Sequence, residues 1–260
     1  DMLYNPQGAN LEVLAHPGLN LQHIDNAIKT QVLVGDLLPT AGNEWTFTGL
    51  ADTGGQNPTN APIEVDGGVC VLHPFIFVYG SNGYIANNNV DNTNPTVYDW
   101  NGPLAKQVNV AASKIVKGMP MRGGTNSPSG LFWSTDSLIR VSFNPQATST
   151  FWSYDIVSSQ TSIMSSSAVV EMDGTFFWMG VDRFYLYNGQ VAVLPNDKNV
   201  NWLFDNINYS QRQKVWATKV PRYNEIWFFY PRGTATECTD AIIYNVKDKL
   251  WYDVGSAVGS

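Results

Sequence analysis

The segment Glu171–Leu194 constrains the fold more than any other part of the chain, because short apolar runs and turn residues alternate through it. Four such runs follow one another: Ala168–Met172, Thr175–Gly180, Arg183–Asn188 and Gln190–Leu194. Asp173-Gly174 and Asn188-Gly189 each separate two of the runs, and both dipeptides tolerate the positive φ of a type I′ hairpin turn. The segment therefore predicts four consecutive antiparallel strands, which is one blade of a β-propeller if the pattern repeats.

The same pattern recurs along the chain. Three further stretches carry it: Gly68–Ala86, Ser113–Ile156 and Val215–Asp253. Their second strands align on Phe75, Leu131, Phe176 and Ile226, roughly every 50 residues, and propeller repeats run at about 40–50 residues. Fourth strands end on an aromatic residue and Asp, as at Trp251–Asp253. The sequence predicts an all-β fold, a β-propeller of four-stranded antiparallel blades, with four clear blades and room for a fifth.

Three segments follow from this pattern. Residues 1–67 form an N-terminal segment that is an extra or partial blade, residues 68–255 the propeller domain, and residues 256–260 a tail. In the first segment we expect strands at Leu11–Leu14, Gln31–Val34 and Trp45–Thr48, with a short helix or loop at Asn20–Ile28.

Two further elements are expected inside the propeller domain. The sequence predicts a long loop at Gly118–Pro128. A helix near residues 198–210 is predicted by an apolar stripe and capped by Asn196 or Asp197. The stripe consists of Val200, Leu203, Phe204 and Ile207.

Charge argues against a sequence-specific nucleic-acid binder. The net charge is −7, and residues 1–110 hold only two basic side chains, Lys29 and Lys106, against ten acidic ones. A DNA-binding protein concentrates Lys and Arg on one face. An acidic surface repels DNA, which suits a protein that lets DNA pass through better than one that holds it. The simpler interpretation is that the negative charge keeps the protein soluble.

The two cysteines, Cys70 and Cys238, each lie alone in an apolar run, and we expect both to be reduced core residues. No run of eighteen apolar residues predicts a membrane helix. No signal peptide is visible. The chain opens on Asp1 and not on Met, which suggests a piece of a longer protein.

No catalytic or metal-binding motif stands out, so we expect no catalytic residue, cofactor or metal. His16, His23 and His73 lack partners at metal-ligand spacing. The Asn-rich loop Asn87–Asn94 could bind calcium, but it lacks the Gly and terminal Glu of an EF-hand. A propeller glycosidase would need two convergent carboxylates. The candidates, all at turns or strand ends, are Asp136, Asp155, Asp173, Asp182 and Asp253.

Asp182-Arg183 and Glu225 begin blade strands, and we interpret them structurally. We expect a buried ion pair or a backbone-bonded Arg between blades, with Asp182-Arg183 as a hairpin hinge. On this interpretation, replacing Arg183 by Ala lowers stability or assembly.

Several stretches resemble virion proteins of tailed bacteriophages. They are Lys114–Gly124, Gly130–Phe143, Gly180–Gly189, Glu225–Gly233 and Ile242–Asp253. The resemblance covers roughly residues 68–255 and is strongest to β-propeller structural proteins of short-tailed phages, the tail nozzle or hub that stabilises packaged DNA. It rests on strand-and-turn patterns and not on catalytic signatures.

The resemblance implies a non-enzymatic subunit in a ring of identical subunits, below the portal and adaptor, around the channel through which genomic DNA leaves. Its partners would be other tail proteins, including fibre or spike, and passing DNA without sequence-specific binding or membrane insertion. The location would be the phage tail of the virion, after synthesis in the bacterial cytoplasm. Two alternatives stay open: a propeller that binds host-surface glycan through Phe132-Trp133 or Trp100, and a propeller glycosidase.

Overall fold

The computed structural model describes part of the chain in full and part as backbone only. Backbone is described for residues 2–4, 11–15, 32–36, 47–49, 200 and 201, and side chains as well for residues 62, 65–90, 100, 102–123, 127–195 and 202–254. The predicted segments at Asn20–Ile28 and residues 256–260, the helix cap at Asn196 or Asp197, and His16 and His23 lie outside the described residues.

The described chain is all-β. Its strands are β1 (Met2–Tyr4), β2 (Leu11–Ala15), β3 (Val32–Asp36), β4 (Phe47–Gly49), β5 (Gly68–Leu72), β6 (Phe75–Tyr79), β7 (Tyr84–Asn87), β8 (Lys106–Asn109), β9 (Ile115–Met121), β10 (Ser129–Ser134), β11 (Leu138–Phe143), β12 (Trp152–Ser158), β13 (Val169–Met172), β14 (Thr175–Met179), β15 (Phe184–Tyr187), β16 (Val191–Leu194), β17 (Trp216–Val220), β18 (Glu225–Tyr230), β19 (Asp240–Asn245) and β20 (Leu250–Val254).

Consecutive strands pair into five four-stranded antiparallel meanders within the described residues. We call them sheets I to V, made of β1–β4, β5–β8, β9–β12, β13–β16 and β17–β20. Each has the strand order of a propeller blade. The predicted fold class, an all-β propeller type with four or five blades in the chain, is confirmed.

The chain divides into two compact units, each with its own core. One comprises residues 1–134 and 139–155, and the other residues 135–138 and 156–260. The division cuts sheet III inside two of its strands, between Leu138 and Ile139 in β11 and between Asp155 and Ile156 in β12.

Sheet IV contains the segment on which the repeat was recognised, and all four of its strands form as predicted. Asp173 and Gly174 both have positive φ, at 51° and 79°, as a type I′ turn requires. At Asn188-Gly189, in contrast, only Gly189 has positive φ, so the type I′ prediction there is wrong. Tyr187 pairs with Val191 across a loop of three residues, which no longer needs positive φ at Asn188.

In the second unit, sheet IV lies against sheet V. Phe177, Met179 and Phe184 of sheet IV share one core with side chains of sheet V, and all three are almost fully buried. The Phe184 ring centroid lies 4.6 Å from that of Trp251, in the fourth strand of sheet V. The Trp251 indole N–H donates to the carbonyl of Pro195, directly after sheet IV, at 2.8 Å.

Sheets II and III repeat this contact in the first unit. Trp152, in the fourth strand of sheet III, has its ring centroid 4.9 Å from those of both Phe75 and Phe77 in sheet II. Its indole N–H donates to the carbonyl of Leu104 at 2.9 Å, just before the outermost strand of sheet II. The aromatic-plus-Asp ending recognised in the sequence therefore marks the tryptophan that joins a sheet to the preceding one.

The alignment of second strands needs correction in three sheets. The residues that pair with the last residue of the first strand are equivalent, and they are Phe75, Ser129, Thr175 and Glu225. The sequence alignment used Phe75 with Leu131, Phe176 and Ile226, so it was shifted by two residues in sheet III and by one in sheets IV and V. Because side chains alternate between the faces of a strand, a shift of one residue assigns the wrong face.

Two other predictions of local structure were incomplete. β9 continues to Met121, into the range predicted as a loop from Gly118, and pairs with β10 through an irregular register between Trp133 and Ser134. β8, at Lys106–Asn109, was not predicted. Its side chains are mostly exposed, so it carries no alternation of apolar and polar residues.

The predicted helix is present at residues 200–206 and is shorter than expected. Leu203, Phe204 and Ile207 are buried, at 1%, 8% and 6% exposure, and contribute to the core of the second unit. The apolar stripe therefore holds the helix against sheets IV and V.

Candidate functional site

The candidate carboxylates are held in local structure. Asp155 forms an ion pair with Arg140 at 3.1 Å, with both side chains about half exposed. Asp173 occupies its hairpin turn, and Asp136 and Asp253 are exposed. Among the described residues, no three His, Cys, Asp or Glu side chains are placed to hold a metal ion.

Asp182 and Arg183 form an exposed pair and not a buried one. The Arg183 guanidinium donates to the Asp182 carboxylate at 2.7 and 2.9 Å, and both side chains are 50% exposed. The buried ion pair expected from the sequence is therefore wrong. Exposed pairs contribute only about 0–1 kcal/mol. The Arg183 carbonyl does accept from Gly180 N–H at 2.8 Å, so the hinge is formed by the backbone.

The asparagines proposed as calcium ligands serve backbone groups where they are described. The Asn88 side-chain oxygen accepts from Ile76 N–H at 2.7 Å, and that of Asn89 accepts from Leu104 N–H at 3.1 Å. The Asn87 side-chain amide donates to the Leu104 carbonyl at 2.8 Å. These side chains fasten the chain between β7 and β8. Residues 91–94 of the same loop lie outside the described residues.

The aromatic residues proposed to bind glycan are core residues. Phe132 and Trp133 lie in β10 and are fully buried, and Trp100 is 2% exposed. None of the three presents a ring face to solvent. The alternative in which these aromatics form a sugar platform is wrong, because β10 is buried on both faces at Phe132 and Trp133, and Trp100, outside the strands, is buried as well.

The cysteines are both free, but only one is a core residue. Cys70 is buried in β5, and burial raises the pKa of its thiol to about 12. A thiol that stays protonated is a poor nucleophile. Cys238 lies outside the strands, between β18 and β19, and is partly exposed, so its predicted core position is wrong.

Asp66 joins three parts of the first unit. Its carboxylate accepts from the Ser81 backbone N–H at 2.6 Å, from the Ser81 hydroxyl at 2.7 Å and from Lys114 Nζ at 2.9 Å. Burial raises the pKa of the Asp66 carboxyl, but the hydrogen bonds from Lys114 and Ser81 outweigh burial and leave the pKa below its ordinary value. The contact ties the residues before β5 to the β6–β7 turn and to the residue before β9.

We expect the Asp66 contact to make stability depend on pH in the acid range. A carboxyl with a lowered folded-state pKa stabilises above its unfolded pKa of 3.8 and loses that contribution as pH falls through the folded value. Because Asp66 is partly exposed, the effect should be about 1 kcal/mol or less. Urea unfolding at pH 7 and pH 3 measures it, and Asp66→Asn should show a smaller difference between the two pH values than the wild type. An equal difference would contradict this role.

One face of sheet V is apolar and exposed. We call it the open face, and it consists of Trp216, Trp227, Phe229, Leu250, Tyr252 and Val254. Trp216 and Phe229 stack with ring centroids 4.1 Å apart and an interplanar angle of 7°. Leu250, Tyr252 and Val254 are 54%, 42% and 43% exposed. Contiguous exposed apolar surface marks sites of protein contact or ligand binding.

The open face corresponds to surfaces that are buried elsewhere in the chain. By the pairing described above, Trp227 and Phe229 are equivalent to Phe177 and Met179 of sheet IV. Phe177 and Met179 are 3% and 0% exposed because sheet V covers them. The sequence did not reveal this site, since the apolar pattern of a covered sheet and of an uncovered one is the same.

Comparison with known proteins adds little. No family model and no curated protein match the chain. One solved structure with some likeness is the crystal structure, at 2.60 Å resolution, of a Bacteroides fragilis protein provisionally described as exported. It is 9% identical, over 77% of this chain and 73% of that one, with a TM-score of 0.26, and a likeness at that level carries no argument. No helix among the described residues is long and apolar enough to span a bilayer.

Proposed function

We propose that this chain is a non-enzymatic structural component of a phage tail or head-completion complex, a ring-forming nozzle or hub subunit that lines or closes the DNA exit channel. The open face is the observation that carries the proposal. A subunit that assembles must present apolar surface to a neighbour, and the cores of protein interfaces favour aromatics over charged residues. The resemblance to virion proteins supplies the biological setting.

The distribution of charge supports a passive role toward DNA. Of the thirteen lysines and arginines whose side chains are described, six form ion pairs with carboxylates. Phosphate binding draws on basic side chains that release counterions when DNA arrives. A chain with a net charge of −7, in which nearly half of the described cations are already paired with carboxylates, suits a channel that DNA passes without being held.

Imaging of particles tests the proposal. Electron microscopy of purified virions that carry a tagged copy of the chain should place the tag in a symmetric ring at the tail. A chain that stays a monodisperse monomer at high concentration, and is absent from particles, would contradict it. A glycan array and a panel of chromogenic glycosides serve as controls, because a ring component should bind none of the first and turn over none of the second.

A further inference from the structure

We propose that the open face of sheet V is covered by a second copy of this chain. The inference rests on the proposed function, since it names the surface that ring subunits share. Its starting point is the internal repeat. In sheet II, Phe77 and Tyr79 are 0% and 1% exposed where sheet III packs on them, and in sheet IV, Phe177 and Met179 are covered by sheet V. The equivalent residues of sheet V, Trp227 and Phe229, remain partly exposed.

The chemistry of the open face favours a protein sheet as its occupant. The exposed side chains are aromatic or aliphatic, and the Trp216 and Phe229 rings stack on each other. Of the polar side chains on the same face, Thr218 and Tyr252 bring one hydroxyl each, and Glu225 already accepts from the Trp227 indole N–H at 3.0 Å. The Asn245 side chain donates to the Tyr223 carbonyl at 3.2 Å and accepts from Asp248 N–H at 2.9 Å.

These polar groups therefore fit sugar or nucleic acid poorly. A sugar site needs polar groups free to fix hydroxyls beside an aromatic platform. A nucleic-acid site needs cations among the aromatics, and the one basic residue within the four strands of sheet V, Lys219, points to the opposite face and pairs with Glu171. An apolar sheet is what remains, and it is what covers the equivalent faces of sheets II and IV.

A second copy is the occupant to which these observations point. The faces of sheets II and IV described above are each covered by another four-stranded sheet of the same chain, through apolar side chains and a tryptophan of the covering sheet. A copy of the chain carries sheets of this kind, so association would continue a type of contact that the fold already uses.

A matched pair of variants tests the inference. Val254 lies in the fourth strand of sheet V on the open face and is 43% exposed, whereas Val193 lies in the fourth strand of sheet IV, off the open face, and is 48% exposed. Val254→Lys places a charge in the proposed contact, and Val193→Lys places the same charge outside it. Association is measured by sedimentation velocity and native mass spectrometry over a range of concentrations.

We expect the wild type and Val193→Lys to associate alike, and Val254→Lys to associate about 30-fold more weakly or not at all, because a charge buried without a partner is costly. Near-UV circular dichroism and the Tm establish that the variants are folded. If Val254→Lys is unfolded, Leu250→Lys, at a more exposed position of the same face, replaces it.

Three results would overturn the inference. They are association of folded Val254→Lys equal to that of the wild type, a wild type that stays monomeric at every concentration, and a wild type that associates only with a different protein. The first leaves the proposed function standing if particle images show the ring, since the ring would then use another surface. Absence of the chain from particles removes the proposed function, whether or not Val254→Lys affects self-association.

Discussion

Replacing Trp152 by Ala should lower the free energy of unfolding by about 3–5 kcal/mol, the range for deleting a large buried aromatic side chain. Trp152 is 5% exposed and packs on Phe75 and Phe77 of the preceding sheet. Its loss would open a cavity between sheets II and III and leave the Leu104 carbonyl without the indole N–H. Equilibrium urea unfolding, followed by circular dichroism, measures the change.

Two further variants separate the causes. Trp152→Phe keeps most of the ring contact and removes the hydrogen bond, so it should cost less than Trp152→Ala. Trp202→Ala removes a tryptophan that is 40% exposed and should cost about 1 kcal/mol or less. Equal costs for Trp152→Ala and Trp202→Ala would show that Trp152 does not join the two sheets.

Gly83→Ala should be the most disruptive single-methyl change in the first unit. Gly83 has a φ of 64°, and a Cβ built there would lie 2.1 Å from the Ala111 carbonyl oxygen, a backbone atom that cannot move aside without moving the chain. The added methyl group would therefore bring both the strain of positive φ and a steric clash. We expect the free energy of unfolding to fall by about 3 kcal/mol or more.

Gly174→Ala is the matched control for this change. Gly174 also has positive φ, at 79°, but nothing lies within 4 Å of the added Cβ. That variant should show the strain alone, about 1–2 kcal/mol. The difference between the two variants in urea unfolding measures the clash, and a difference near zero would mean that the chain around Ala111 relaxes freely.

The elements that the sequence predicted best are those specified by local rules. β14 and β18 were located to within a residue, because apolar runs bounded by turn residues mark strands directly. β8 was not predicted because its four residues, Lys106–Asn109, are mostly exposed and therefore show no apolar pattern. The prediction of a type I′ turn at Asn188-Gly189 was wrong because a loop of three residues connects the same two strands.

Features that depend on tertiary packing could not be predicted from the sequence. Phe132 and Trp133 read equally well as an exposed platform or as core, and only packing on both faces of β10 decides for core. The exposure of Trp216 could not be predicted either. Its strand, β17, has the composition of a covered strand, yet Trp216 is 40% exposed.

The contact between sheets also has a direction. In both units the face of a sheet that bears Phe77 or Phe177 meets the opposite face of the following sheet, the one that bears its Trp152 or Trp251. Two unlike surfaces therefore mate each time. A second copy that repeated this contact on sheet V would be joined head to tail and not by a two-fold axis. Head-to-tail contacts close into rings when the rotation between copies divides a full turn, and otherwise grow into filaments.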